Sequence, residues 1–317
     1  MNYDLLTIVH RGVGSLLKKE RKTLLYLAYY SILEATLLMV APLTSAFIIN
    51  SVIAHAHVSI VTLSGIVLVI FIGVAILQVI KAFIIEKFEQ KIFVSNAIQI
   101  ALLAIGKKER LDPATIDKYM NYFFDVVSIQ KVLPQIILNG VALVVKLVIS
   151  LLLLIVFDVS LFGLGLFFIF GYLVLILWLG KRGPKLAIER SDAKHEAIHF
   201  LQTLPMHKEE RTLQKLDELL YRFIQARNRM FAVMMRQQSL TFMVEGLILS
   251  TFFIVGGYLV FKGHMAIGEF VAVEIIVLSV TYALNDLMKQ IDYFYDVVEG
   301  FYKIHKLSHI LGKDEAL

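Results

Sequence analysis

The sequence predicts an all-α, polytopic membrane protein: six transmembrane helices, the inner ends of which continue as long cytoplasmic helical extensions. Three observations carry that expectation. The chain of 317 residues is 58% hydrophobic, above the about 45–50% apolar content of soluble domains, and its mean hydropathy is +0.75. Its apolar residues gather in stretches of about 20 or more, the length that crosses a hydrocarbon core. Its basic residues are crowded into alternate connectors, the pattern that orients helices in a membrane.

The first element is "MNYDLLTIVHRGVGSLLKKERK", residues 1–22. It does not read as a signal peptide, because His10 and Arg11 interrupt its apolar run and its basic cluster follows that run. It reads as an amphipathic elbow helix on the membrane surface, with Lys18, Lys19, Arg21 and Lys22 toward the headgroups. Six apolar stretches follow, at 24–49, 58–85, 134–157, 159–179, 240–261 and 267–287. The last is interrupted by Glu269, Glu274, Asn285 and Asp286.

Lys and Arg counts then set the direction. Five precede the first span, seven lie in 86–133, twelve in 180–239 and four after 287. The loop "NSVIAHAH" and the turn at Asp158 carry none, and "KGHMAIG" carries Lys262 alone. Positive charge is retained in the cytoplasm, so both termini and both long connectors are expected there. The net charge of +5 does not point to nucleic acid, since it is divided among connectors rather than gathered in one stripe.

The inner connectors continue a helical pattern through 86–106 and 182–238 with few breakers. At about 1.5 Å per residue, 20 to 25 further residues reach roughly 30–40 Å beyond the bilayer. Two helical hairpins are therefore expected, each with a tip. At the first tip Asp112 precedes Pro113, an N-cap followed by an N1 proline, which predicts a short helix over 113–119. At the second, "HEAIHFLQTLPMHKEER" sets Ile198, Leu201 and Leu204 on one helix face before Pro205. An ordinary turn is the plain alternative at both tips.

Ionisable groups in hydrocarbon cost roughly 2.5–3.5 kcal/mol on insertion scales, so they face a cavity or a partner. Lys146 stands eleven residues before Phe157, about 16 Å deep, and Glu34 is also well inside its span. Asn139 and Lys146 share a face, as do Glu274, Thr281 and Asn285. These six residues are the candidates for a polar substrate cavity; an internal pair such as Glu34 with Lys146, fixing helix packing, is the plainer reading. Lys81 is placed at the inner boundary, Glu245 near the inner headgroups and Glu269 near the outer ones. His55 and His57 form an H-x-H pattern with His264 as a conceivable third ligand, but that signal is weak for zinc and no metal is assigned. The absence of cysteine excludes disulfides, thiolate metal sites and cysteine nucleophiles. No Ser-His-Asp or paired-carboxylate arrangement stands out.

Several stretches, in this order, resemble the transmembrane domain of ABC exporters, the type IV fold: "LLMVAPLTSAFIINSVI", "NYFFDVVSIQKVLP", "KHEAIHFLQTLPMHKEE" and "GHMAIGEFVAVEIIVLSVTYALNDL". The resemblance covers nearly the whole chain and divides it into an elbow helix at 1–22, a six-helix transmembrane domain at 23–311 and a short tail at 312–317. It implies a domain-swapped dimer, homodimeric or with a paired transmembrane subunit, around a substrate cavity in the bacterial inner membrane. It further implies coupling helices at 111–119 and 198–207 that dock ATPase domains, with Asp117, Tyr119, Phe200, Leu204 and His207 as the contact candidates.

The chain departs from that family where the fused ATPase would stand. A phosphate-binding loop needs G-x-x-x-x-G-K-[ST], but the Gly-Lys pairs at 106–107, 180–181 and 312–313 have neither the earlier glycine nor the following Ser or Thr. LSGGQ is also absent; "LSGIV" at 63–67 lies inside a span. The expectation is thus a non-enzymatic subunit that binds no cofactor itself and works with a separate ATPase carrying ATP and Mg. A periplasmic adaptor is a further partner to look for. The tail "HKLSHILGKDEAL" reads as the end of the sixth helix, with Gly312 as its stop, so the chain is expected to end at a domain boundary. A second reading makes the chain an ATPase-free structural or regulatory subunit that scaffolds another transporter or adaptor. A third, an ion-coupled transporter, is disfavoured by the lack of broken helices and inverted repeats.

Overall fold

The computed structural model describes residues 21–55, 60–105, 139–204 and 212–310, with isolated positions 14, 132, 135 and 136. These residues form helices joined by tight turns, and no strand occurs among them. Six helical stretches are long and apolar enough to cross a membrane: Arg21–Ile53, Ile60–Ser95, Asn139–Phe157, Val159–Thr203, Thr212–Phe261 and Ile267–Lys303. The elbow helix lies almost wholly outside the described residues, as do the first hairpin tip and the tail at 312–317.

The first span is two helices, α1 (Arg21–Leu38) and α2 (Val40–Ile53), with a break at Met39. Sequence reading treats it as one. The cause of the break is Pro42, which has no N–H for the Leu38 carbonyl and whose ring crowds the preceding turn. The chain tightens there, Met39 N–H donating to Thr36 O at 3.2 Å. Helix α3 (Ile60–Ile105) then runs unbroken for 46 residues, about 70 Å, more than twice the about 30 Å hydrocarbon core. It packs on α1 and α2.

Helix α4 (Asn139–Phe157) turns at Asp158 into α5 (Val159–Gly180). Asp158 is the N-cap, accepting from the Ser160 backbone N–H at 2.7 Å and from its hydroxyl. The first hydrogen bond satisfies a donor that a helix start otherwise leaves open. Twenty-two residues make α5 about 33 Å long, which matches one membrane crossing. The exposed Trp178 followed by Lys181 and Arg182 marks the far interface, where tryptophan and basic residues gather.

A turn at Lys181–Arg182 leads to α6 (Gly183–Thr203), with Pro184 in its first turn. Pro184 cannot donate to the Gly180 carbonyl. Tyr295 supplies the missing donor, its hydroxyl meeting Gly180 O at 3.4 Å. Gly180 and Gly183 both sit against this tyrosine, and a Cβ at either would strike its side chain. Helix α7 (Thr212–Phe261) returns over 50 residues. It ends on Gly263 at φ 74°, with His264 N–H donating to Leu259 O at 2.9 Å and Gly263 N–H to Val260 O at 3.0 Å. That pair of bonds is the Schellman closure, which favours glycine because the position is left-handed. Helix α8 (Ile267–Ile310) begins with Ala266 N–H donating to Glu269 Oε2 at 2.8 Å, a cap that explains a carboxylate at this end.

The three short connections gather at one end of the bundle. Gly268 N–H donates to Asn50 Oδ1 at 2.9 Å, and His264 lies close enough to Asp158 to stabilise its charge. The main core joins α4, α5, α7 and α8 through Leu154, Leu161, Ile176, Ile248, Phe252, Ile276 and Leu284. Two polar nodes thread it. Tyr172 OH lies 3.0 Å from Thr241 Oγ1 and donates to Leu284 O at 3.3 Å. Gln237 donates to Ile176 O at 3.0 Å and accepts from Tyr295 OH at 3.2 Å. Beyond that level α6 is tied to α8 by Arg190, which reaches Asp296 at 3.1 Å and Glu299 at 3.0 Å. Glu299 also takes Lys303 at 2.8 Å.

Candidate functional site

A cavity of about 510 Å³ opens between α1, α3, α4 and α8. From α1 it is lined by Ser31, Glu34, Ala35 and Leu38, with Met39 at the break; from α3 by Gln78 and Lys81. Helix α4 contributes Asn139, Ala142, Leu143 and Lys146, and α8 contributes Ala283, Asp286, Lys289, Gln290 and Tyr293. Volumes of about 300–1,000 Å³ are those of small-molecule sites.

Each wall places its polar groups by helical spacing. Gln78 and Lys81 stand three residues apart on α3, and Asn139 and Lys146 stand at i and i+7 on α4, with the apolar Ala142 and Leu143 between them at i+3 and i+4. Asp286, Lys289, Gln290 and Tyr293 repeat that spacing on α8. Positions three and four apart share a helix face, so three helices each present a polar stripe to one space.

The charges inside are unevenly satisfied. Glu34 accepts from Lys81 Nζ at 2.5 Å and from Gln78 Nε2 at 2.9 Å, with both partners of the ion pair largely buried. Asp286 and Lys289 form an i, i+3 pair at 3.0 Å, with both side chains more than half exposed. Lys146 is half-buried. It is attracted by Asp286 and Glu34 but has no direct hydrogen-bond or ion-pair partner among the described residues. Gln290 is 9% exposed and its Oε1 makes no hydrogen bond.

Of the six cavity candidates from the sequence, Glu34, Asn139 and Lys146 line this space together. Glu34 takes Lys81 as its ion-pair partner rather than Lys146. The other three stand elsewhere. Thr281 is buried and donates to Leu278 O on its own helix at 2.8 Å. Asn285 donates to Glu245 of α7, and Glu274 is half-buried outside the cavity lining. The cavity face of α8 is turned from that line, since consecutive helical residues differ by about 100°. Sequence reasoning missed Asp286, Lys289, Gln290 and Tyr293 because most of that stripe falls after the apolar stretch. The signal was there in "DLMKQIDY", polar at i, i+3, i+4 and i+7.

Of the docking candidates, Phe200 is buried near the end of α6, with the Lys215 ammonium 5.4 Å from its ring centroid. Leu204 is the half-buried C-cap of the same helix. Asp117, Tyr119 and His207 lie outside the described residues, as does His57 of the H-x-H pattern. Among the described residues no group of three or more His, Asp or Glu is placed to hold a metal ion. No protein-family model matches the sequence, and no curated protein matches it.

Proposed function

We propose that this chain is the membrane-spanning subunit of an ATP-driven exporter of the ABC type, forming the translocation pathway and docking a separately encoded ATPase. The observation that carries the reading is the joining of six apolar spans to helices of 46, 50 and 44 residues. Helices of that length leave about 30 Å of stalk outside a bilayer, the reach that a cytoplasmic motor needs in order to move a membrane cavity. The basic connectors put those stalks in the cytoplasm by the positive-inside rule, with both termini on the same side and the short turns outside. A second copy or a paired subunit would complete the pathway, swapping helices as the resemblance implies, and the bacterial inner membrane is the compartment proposed.

Phe200 and Leu204, at the end of α6, stand at the tip where such a motor would press. His207, the third contact candidate of that connector, follows Leu204 by three residues in the sequence. The half-buried Arg190 contacts to Asp296 and Glu299 would carry a push on α6 into α8, which walls the cavity.

The test is to purify the chain from its native membrane with whatever accompanies it and measure vanadate-sensitive ATP hydrolysis. A co-purifying ATPase, released when Leu204 and His207 are replaced by Asp, is the expected result. A stable assembly free of any ATPase would sink the exporter reading in favour of a structural or regulatory subunit.

A further inference from the structure

We propose that the cavity takes the anionic head of an amphiphile, with Lys146 as its counter-ion and Gln290 reading a hydroxyl beside it. This deepens the exporter reading by naming a substrate class, and rests on that reading only where transport is concerned.

The cavity has an unbalanced charge. Five charged side chains line the cavity, three of them lysines and two carboxylates. Glu34 is already held by Lys81 and Gln78, and Asp286 by Lys289. Lys146 is left as the cation with no direct partner among the described residues. A half-buried ammonium at that depth wants an anion, and a charged hydrogen bond is the strong kind.

The second observation is independent of charge. Gln290 is more than nine-tenths buried, lines the same cavity and leaves Oε1 unbonded. Buried acceptors without a donor are rare and costly. Oε1 is enclosed where it stands, so a turn of the side chain toward the cavity is what brings it to a ligand hydroxyl, which would satisfy it; a bare carboxylate or phosphate oxygen would not.

The third is the remaining wall. Leu38, Met39, Leu143, Ala142 and Ala283 are apolar and stand beside the polar stripes. A small hydrophilic anion would leave them wet; an acyl chain would cover them. Helix α3, which closes one side, packs on α1 and α2 and turns much of its apolar surface outward, so the cavity lies beside a lipid-facing helix.

The probe is 1-oleoyl-glycerol-3-phosphate, which joins a phosphate, a hydroxyl and one chain. Binding to the purified chain in neutral detergent, without any ATPase, is followed by native mass spectrometry against three comparators. These are mono-oleoylglycerol, which lacks the charge; oleoyl phosphate, which lacks the free hydroxyl; and inorganic phosphate, which lacks the chain. Tighter binding of the probe than of all three is expected, by about tenfold over the uncharged lipid. Lys146→Met should weaken it by about tenfold while Lys146→Arg retains it, and Gln290→Leu should erase the preference over oleoyl phosphate. Lys262→Met, in a turn at the other end, serves as the control for nonspecific charge.

Equal binding of mono-oleoylglycerol, or an affinity unmoved in Lys146→Met, would overturn the proposal. Inorganic phosphate binding as tightly as the probe would overturn the amphiphile. If Lys146→Met is not monodisperse, the comparator series on the unaltered protein decides alone. Failure of the exporter reading would appear differently, as the absence of any ATPase, and would leave these affinities unchanged.

Discussion

Helices α3 and α8 are nearly equal in length, at 46 and 44 residues, and both wall the cavity, yet they are built to opposite ends. Only 6% of the apolar window of the second span is buried, against 50% for the sixth. Helix α8 is the axis of the bundle, meeting α2, α6 and α7 along its length. Helix α3 leans on the α1–α2 pair and shows the rest of its apolar surface, Val69, Ile72, Ile76, Val79 and Phe83 among it, to the outside. In water such a face would be an aggregation hazard; in lipid it costs nothing. The glycines tell the same story. Gly268 of α8 lies against the Ala46 carbonyl, whereas Gly65 and Gly73 of α3 have nothing within 4 Å of an added Cβ. Of these three, only the glycine on the axis lies against the backbone of another helix.

The comparison breaks most sharply at the Glu34–Lys81 pair, the polar tie that holds α3 to α1 across the cavity wall. Removing one member strands a largely buried charge, so Glu34→Ala should cost about 3 kcal/mol, read as a drop in thermal midpoint in detergent. The double replacement Glu34→Ala with Lys81→Met should recover most of it. A double variant as unstable as the single would mean that the pair is not the tie.

Next comes the axis. Gly268→Ala would press a methyl into the Ala46 carbonyl and displace the Asn50 bond, costing about 2 kcal/mol. The matched change on α3, Gly65→Ala, should be neutral or stabilise by about 0.5 kcal/mol, because alanine is the better helix former and meets no neighbour. Equal losses at both sites would erase the distinction between axis and periphery.

A smaller effect lies at the turn shared by α4 and α5. The Ser160 side chain and backbone, in that order, hold the Asp158 carboxyl below its ordinary range, with His264 nearby adding to the pull. A depressed folded value means that this stabilisation is present above the ordinary Asp pKa of about 3.9 and fades as pH falls through the lower, folded value. Asp158→Ala should cost about 1 kcal/mol at neutral pH. Asp158→Asn should keep the cap yet lose its pH dependence, so the two proteins' midpoints converge only in acid. A constant difference between them from pH 3 to pH 7 would remove the electrostatic part of this account.

How much of this was legible in the sequence differs between the two helices for physical reasons. The six spans and the three short turns follow from hydropathy and charge, because lipid imposes one requirement on every span. The break at Met39 is the work of Pro42 and was written there. The cavity was half visible. Glu34, Asn139 and Lys146 could be found because each is a polar residue in apolar company. Asp286, Lys289, Gln290 and Tyr293 were hidden because α8 changes from apolar to amphipathic without a break, and depth alone does not distinguish a stalk from a wall. Thr281 and Asn285 shared a face with Glu274 on paper, but their hydrogen bonds to Leu278 and Glu245 draw them away from the cavity. Partner choice in a bundle depends on helix rotation, which single-helix periodicity leaves free.

The absence of cysteine makes the central claim, a polar cavity between a lipid-facing α3 and a buried α8, directly measurable. Single cysteines at Asn139 and Ala142, on the cavity wall, and at Val69 and Ile76, on the outer face of α3, can be tested in membranes with a charged, water-soluble maleimide. The account predicts labelling at Asn139 and Ala142 from the side bearing the stalks, and none at Val69 or Ile76. Equal labelling at all four positions, or labelling confined to the two on α3, would contradict it.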